Sequence, residues 1–126
     1  MGIPISSDSV AKTDGTWSQA VQMGNMLFVS GQIALDAEGN TVGKADFAAQ
    51  AEQVFKNLGT LLDEAGYRFE HICKITVFLT DMKDRQTFAA IRKKYFSDHP
   101  PASTLVEVSK LALPDLKVEM EAIAVK

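Results

Sequence analysis

The sequence has 126 residues, of which 46% are hydrophobic and 23% are charged. This composition is typical of one globular domain, residues 1–126, and excludes a disordered chain. The formal net charge of -3 argues against nucleic-acid binding, which needs clustered lysines and arginines. Because there is one cysteine and no long apolar run, we expect a cytoplasmic protein without a disulfide or a membrane segment.

The first half of the chain shows a hairpin pattern and then a helix pattern. Two short β-favouring segments, Gln19–Met23 and Met26–Ser30, are separated by Gly24-Asn25, a pair typical of tight turns. Asp46 can cap a helix that Gly66 can end. Between them, apolar residues recur at steps of three and four, as on one buried helical face: Phe47, Ala51, Val54, Leu58, Leu61 and Ala65.

The second half repeats the alternation of strand and helix. Residues Cys73–Leu79 alternate with a period of two, which predicts a half-buried strand and places Cys73 in the core as an inert thiol. A helix is predicted from Asp84 to Phe96, since the prolines at 100 and 101 prevent it from continuing. Its predicted inward residues are Phe88, Ile91 and Tyr95. Two further strands are predicted, at Thr104–Val108 and Leu116–Val125.

The predicted order β-β-α-β-α-β-β indicates an α+β sandwich of two layers, with both helices on one face of an antiparallel-rich sheet. If solvent covered the other face of the sheet, the strands would alternate between apolar and polar residues. Instead, Met26–Val29 and Ala122–Val125 are apolar on both sides. Another copy of the chain is the simplest cover, so we expect a homo-oligomer.

Four blocks of sequence, in fixed order along nearly the whole chain, form a specific pattern. They begin at Trp17, Lys74, Pro101 and Val118 and include Gly24-Asn25, Ser30-Gly31-Gln32, Pro101-Ala102 and Val118-Glu119-Met120-Glu121. Together they resemble the Rid (YjgF) family, also called reactive-intermediate deaminases. The resemblance implies a chorismate-mutase-like fold and a homotrimer, in which three sheets form a central barrel and leave clefts between subunits.

The resemblance also implies a chemistry. Catalytic members hydrolyse small imines and enamines, such as 2-aminoacrylate, to a ketoacid and ammonia. An arginine after Pro-Ala binds the substrate carboxylate, and an acid near the C-terminus places a water. Here the arginine position is Ser103, which offers neither a positive charge nor a bidentate fork. If another cation has taken over, Arg92 and Lys110 are the candidates.

The implied cleft residues each have a second, structural interpretation. Glu119 is expected to be the catalytic acid, or else an exposed strand carboxylate. Gly31 brings backbone close to the ligand, or ends a strand at a bulge. Trp17 forms a cleft wall, or a hydrophobic anchor. The remaining cleft positions are Ala89, where the family often has asparagine, Ser103, Thr104, and Leu105, where cysteine is frequent.

Two functions follow from these expectations. One is a Rid-like hydrolase or deaminase, acting on a small imine, enamine or related metabolite with a specificity altered at Ser103. An aminomuconate-type enamine is one possible substrate. The other is a trimer that binds a small ligand, such as a carboxylate, without catalysis. No spacing of histidine, cysteine or carboxylate residues matches a metal site, and no phosphate-binding loop is present, so no metal or cofactor is expected.

Overall fold

The computed structural model describes residues 2–126. Its helices span Phe47–Ala65 (α1) and Arg85–Phe96 (α2), close to the predicted ranges. The strands are Ile3–Ile5 (β1), Ala20–Met23 (β2), Met26–Ile33 (β3), Ile72–Leu79 (β4), Ala102–Glu107 (β5) and Val118–Val125 (β6). Only β1 was not predicted, because three residues that include a proline are too short to show a period of two.

The six strands form one sheet in the order β1-β2-β3-β6-β4-β5. Strands β4 and β5 run parallel, and the other neighbours are antiparallel. Helix α2 connects β4 to β5, as a parallel pair requires a crossover. The predicted α+β sandwich, with two helices packed on an antiparallel-rich sheet, is therefore confirmed.

Helix α1 has both predicted caps. The Asp46 side chain accepts a hydrogen bond from the backbone N–H of Ala49, and Gly66 ends the helix with a left-handed φ of 78°. Its predicted apolar face packs on the sheet, where Val54, Leu58 and Leu61 are fully buried. Local signals were sufficient here because caps and periodicity act within one helix.

An aromatic cluster joins the two helices. The Phe55 ring of α1 stacks on Tyr95 of α2 at 4.3 Å between centroids and lies 5.9 Å from Phe88. Phe88 and Ile91 are buried as predicted, whereas Tyr95 is only partly buried and its hydroxyl lies 3.2 Å from Glu52 Oε1. The cluster holds α2 in place against α1, and α2 borders the site described below.

The sheet surface opposite the helices, here termed the open face, is apolar along its centre. Phe28 of β3 pairs with Ile123 of β6, and both lie on this surface, where Phe28 is 41% exposed. Phe78 of β4 lies nearby, opposite Glu119. The residues that alternate with them along each strand, such as Leu27 and Ala122, point to the other side of the sheet and are buried beneath the helices. The expected uncovered apolar face is therefore present in the single chain.

Cys73 is exposed, so its predicted place in the core is wrong. The pairing of β4 with β6 shifts between Ile72 and Lys74, and this bulge breaks the alternation that placed Cys73 with Ile75. The Cys73 thiol donates a hydrogen bond of 3.4 Å to the carbonyl oxygen of Ile123. A bulge depends on the neighbouring strand, and the sequence of β4 alone does not reveal it.

Candidate ligand-binding site

A bulge in β3 creates the first half of the site. The register of β3 against β6 shifts between Val29 and Gln32, which leaves Ser30 and Gly31 outside the regular ladder. The Ser30 hydroxyl donates a hydrogen bond of 2.6 Å to the carbonyl oxygen of Ser18, and this holds the bulge against the preceding loop. The bulge therefore has a defined geometry next to β6.

Glu119 extends from β6 over this bulge. A Cβ at Gly31 would overlap the Glu119 Oε2 atom and would lie 2.8 Å from its Cδ. Only glycine leaves space for the carboxylate there. Val118 and Met120 are buried on the helix side, so Glu119 is on the open face, as its position in the strand predicted. Gly31 thus lies in a bulge and makes room for the Glu119 carboxylate, whereas its expected approach to a ligand stays a prediction.

The environment of Glu119 favours its protonated form. Partial burial raises the pKa of the Glu119 carboxyl, and the negative charge of Glu121 raises it further. Among residues 2–126, no protein group donates a hydrogen bond to this carboxylate. A carboxyl with a raised pKa holds a proton more readily than a free carboxylate does, which helps a general acid-base group to accept and return one.

Trp17 lies close to the same bulge. It is 51% exposed and lines, together with Gly31 and Lys12, a small cavity of about 110 Å³. An exposed ring does not anchor the core of its own chain. The position therefore favours the expected role as a cleft wall.

The second half of the site lies at the other end of the sheet. Ser103 and Leu105 of β5 pair with the buried Ile75 and Val77 and therefore face the helices. With α2 they form the Ser103 groove, a depression of about 330 Å³ lined by Arg85, Gln86, Ala89, Arg92, Ser103 and Leu105. A second depression of about 450 Å³, which extends towards Pro100 and Pro101, shares Ala89, Arg92 and Ser103 with it.

Thr104 does not lie in this groove. It pairs with Thr76 and therefore points to the opposite side of β5 from Ser103. Its hydroxyl accepts a hydrogen bond of 2.7 Å from Lys74 Nζ. Thr104 is thus placed on the open side of the sheet, together with a lysine that the sequence did not single out.

Within one chain, the two halves do not form one cavity. Strand β5 is separated from β6 by β4, which puts two strand spacings between them. Ser103 pairs with Ile75 of β4, whereas Glu119 pairs with Phe78, three residues further along, so the two backbones lie roughly 14 Å apart. They also face opposite sides of the sheet. A small ligand could contact both halves only if they came from different chains.

Arg92 also borders this groove, although the sequence analysis named it only as a candidate replacement for the missing arginine at position 103. Its Nη1 donates a hydrogen bond of 3.1 Å to Ser103 Oγ. The helical spacing offered a signal, because Ala89 and Arg92 are three residues apart and share one face of α2. Once Ala89 is assigned to a cleft, Arg92 should border the same cleft.

Comparison with known proteins places these features in a family. The family model described as endoribonuclease L-PSP matches residues 8–126. The chain belongs to this family, the Rid family that the sequence resembles. A protein of Escherichia coli described as 2-iminobutanoate/2-iminopropanoate deaminase is 37% identical over 129 residues, covering 100% of this chain and 99% of the relative.

Solved Rid-family structures share the fold. A putative endoribonuclease from Thermotoga maritima superposes with a TM-score of 0.94 at 39% identity. The superposition covers 100% of this chain and 98% of the Thermotoga chain. A Rid-family protein of unknown function from Yersinia pestis gives a TM-score of 0.94 at 32% identity, with full coverage of both chains. The predicted family and fold are thereby confirmed.

Residues 2–126 lack two other features. No group of three or more histidine, cysteine, aspartate or glutamate side chains could hold a metal ion in that range. Nor do its helices include one with the length and apolar character needed to cross a membrane.

Proposed function

We propose that this Rid-family protein is a hydrolase of the imine or enamine deaminase type, which acts on a small metabolite in clefts between subunits. Family membership supports a deaminase or small-molecule-binding role. The observation that carries the catalytic proposal is the Glu119 carboxyl, which lies over Gly31 with a raised pKa and without a protein donor. That is the arrangement expected of a group that activates water.

The proposed reaction needs one water and one acid-base group. The Glu119 carboxylate removes a proton from water while the water oxygen forms a bond to the carbon of the protonated imine, and the C=N π electrons become the lone pair of an amine. Glu119 then passes this proton to the amine. The C–N bond breaks and ammonia leaves, while the hydroxyl group gives its proton to the Glu119 carboxylate and becomes the carbonyl. One protonated imine and one water therefore give one ketone, one ammonia and one proton, which Glu119 releases.

The cleft between subunits is part of this proposal. The two half-sites face opposite sides of one sheet, and the open face is apolar where Phe28 and Ile123 meet. A homotrimer that buries the open face, as the family resemblance implies, would bring the Glu119 half of one subunit towards the Ser103 half of its neighbour.

Ser103 is the proposed cause of an altered specificity. A hydrogen bond to a charged group contributes about 1.5–3 kcal/mol, so a hydroxyl alone should bind a carboxylate roughly ten- to hundredfold more weakly than arginine does. This same residue favours the second candidate function, a trimer that binds a small ligand without catalysis.

Turnover and binding measurements separate the two functions. A pyridoxal-phosphate dehydratase would generate 2-aminoacrylate or its homologue, and released 2-oxo acid would be compared with the spontaneous rate. We expect wild type to exceed that rate and Glu119→Gln to fall to it. Glu64→Gln, an exposed carboxylate of α1, is the matched control. A wild type that binds 2-oxo acids but adds nothing to the spontaneous rate would establish the binding protein instead.

A further inference from the structure

The guanidinium group of Arg92 lies next to the Ser103 side chain. The hydrogen bond from Nη1 to Ser103 Oγ measures 3.1 Å and uses one of the five N–H donors of the group. Ser103 is held in the sheet by the parallel ladder of β5 with β4, where it pairs with Ile75. The serine hydroxyl therefore acts as a fixed acceptor that orients the arginine.

The buried surface of α2 supports the same orientation. Arg92 Cζ lies 5.5 Å from the centroid of the Phe88 ring, and Phe88 is fully buried in the aromatic cluster. A guanidinium over an aromatic face gains a cation–π interaction and loses side-chain freedom. Arg92 is thus positioned by two contacts, one from the strand and one from its own helix.

No acidic side chain among residues 2–126 forms an ion pair with Arg92. The sequence has three arginines, Arg68, Arg85 and Arg92. Arg68 pairs with Glu70, whereas the ion pairs formed among residues 2–126 include neither Arg85 nor Arg92. Both unpaired arginines line the Ser103 groove, which has no acidic lining residue. The groove is therefore suited to an anion.

We infer that Arg92 binds the carboxylate of the ligand, with Ser103 as the residue that positions its guanidinium. The cation would then come from helix α2 instead of strand β5, and a small residue at 103 would be needed to make room for it. The free N–H groups can form the paired hydrogen bonds that a carboxylate accepts. The small side chain of Ala89, three residues earlier on α2, leaves space beside them. This inference rests on the proposed function, because it names the group that would hold the substrate.

A stable ligand tests the inference without any turnover. Binding of 2-oxobutanoate to the full-length protein would be measured by calorimetry, with the neutral 2-oxobutanamide for comparison. Arg92→Gln should weaken 2-oxobutanoate binding about ten- to hundredfold and leave the amide nearly unchanged. Arg92→Lys keeps the positive charge but loses the paired N–H donors, so its affinity for 2-oxobutanoate should lie between those of wild type and Arg92→Gln. Arg68→Gln, at a residue that lines neither the Ser103 groove nor the adjoining depression, should bind both ligands as wild type does.

Exchanging the two side chains gives a stricter test. Ser103→Arg alone should not improve binding, because a second guanidinium would be crowded against Arg92. The double variant Arg92→Ser with Ser103→Arg should regain most of the affinity, since it returns one cation to the groove from the strand. Wild-type affinity in Arg92→Gln would overturn the inference. So would an equal loss for acid and amide, or a swapped variant that folds normally and still fails to bind.

The outcomes also separate this inference from the proposed function. If 2-oxobutanoate binds through Arg92 but Glu119→Gln and wild type give the same turnover, the deaminase proposal fails and the role of Arg92 stands. If turnover depends on Glu119 while Arg92→Gln keeps wild-type affinity and rate, the deaminase proposal stands and the role of Arg92 fails.

Discussion

The carboxylate of Glu119 occupies the space that a side chain at residue 31 would need. Gly31 is in the bulge of β3, and its missing Cβ is replaced by the Oε2 and Cδ atoms of the glutamate. A glycine and a glutamate from two different strands thus depend on each other. A substitution at either residue should therefore alter the effect of a substitution at the other.

Gly31→Ala should displace the Glu119 side chain and lower turnover at least tenfold. It should also cost about 1–3 kcal/mol of stability, the usual range for overpacking. In a Glu119→Ala background, the same change at residue 31 should cost less than half as much, since the overlapping atoms are gone. Urea unfolding of the four proteins of this cycle measures the coupling. Equal costs in both backgrounds would contradict the contact.

Glu119→Gln should stabilise the protein relative to wild type as the pH rises. The folded-state pKa of Glu119 is raised by burial first and by Glu121 second, so the folded protein binds this proton more tightly than the unfolded chain does. The stability contributed by the proton is present below the ordinary carboxyl pKa of 4.5 and is lost as pH rises through the folded value. Unfolding of both proteins should therefore be compared from pH 4 to pH 8. A difference that does not change over this range would show that the pKa is not raised.

Phe28→Glu should convert the proposed homotrimer into monomers. The side chain is 41% exposed at the centre of the open face, where the proposed assembly would bury the new charge between subunits. Light scattering of wild type should give about three times the chain mass of 13.7 kDa. Leu113→Glu, equally exposed at 41% but in the loop before β6, is the matched control and should stay trimeric. A wild-type mass of one chain at micromolar concentration would remove both the trimer and its clefts.

Gln50→Leu should destabilise the fold by about 3 kcal/mol and lower the Tm by roughly 10 °C. Gln50 is fully buried on α1, and its amide donates to the carbonyl oxygens of Gly43 and Asp115, at 3.2 and 2.8 Å. Its Oε1 accepts a hydrogen bond of 2.8 Å from the backbone N–H of Lys117. Replacing the side chain leaves these backbone groups unsatisfied. Lys56→Leu, exposed on the same helix, should change the Tm little.

Several features could be predicted from the sequence because they depend on neighbours along the chain. The caps of α1 at Asp46 and Gly66 are local, and so is the position of Glu119 between two buried residues of β6. The uncovered sheet face was also predictable, because Phe28 and Ile123 are apolar at strand positions where a wet face would have polar residues.

Other features were decided only by contacts between distant parts of the chain. The bulge that exposes Cys73 exists because β4 pairs with β6, and the short strand β1 forms because β2 is beside it. The polar side chain of Gln50 can be buried because it forms hydrogen bonds with backbone groups more than 60 residues away. The hydrogen bond from Arg92 to Ser103 joins a helix to an edge strand, and no periodicity of either segment contains it. Periodicity and capping determine which segments become helices or strands, but register and packing between segments decide which functional groups meet.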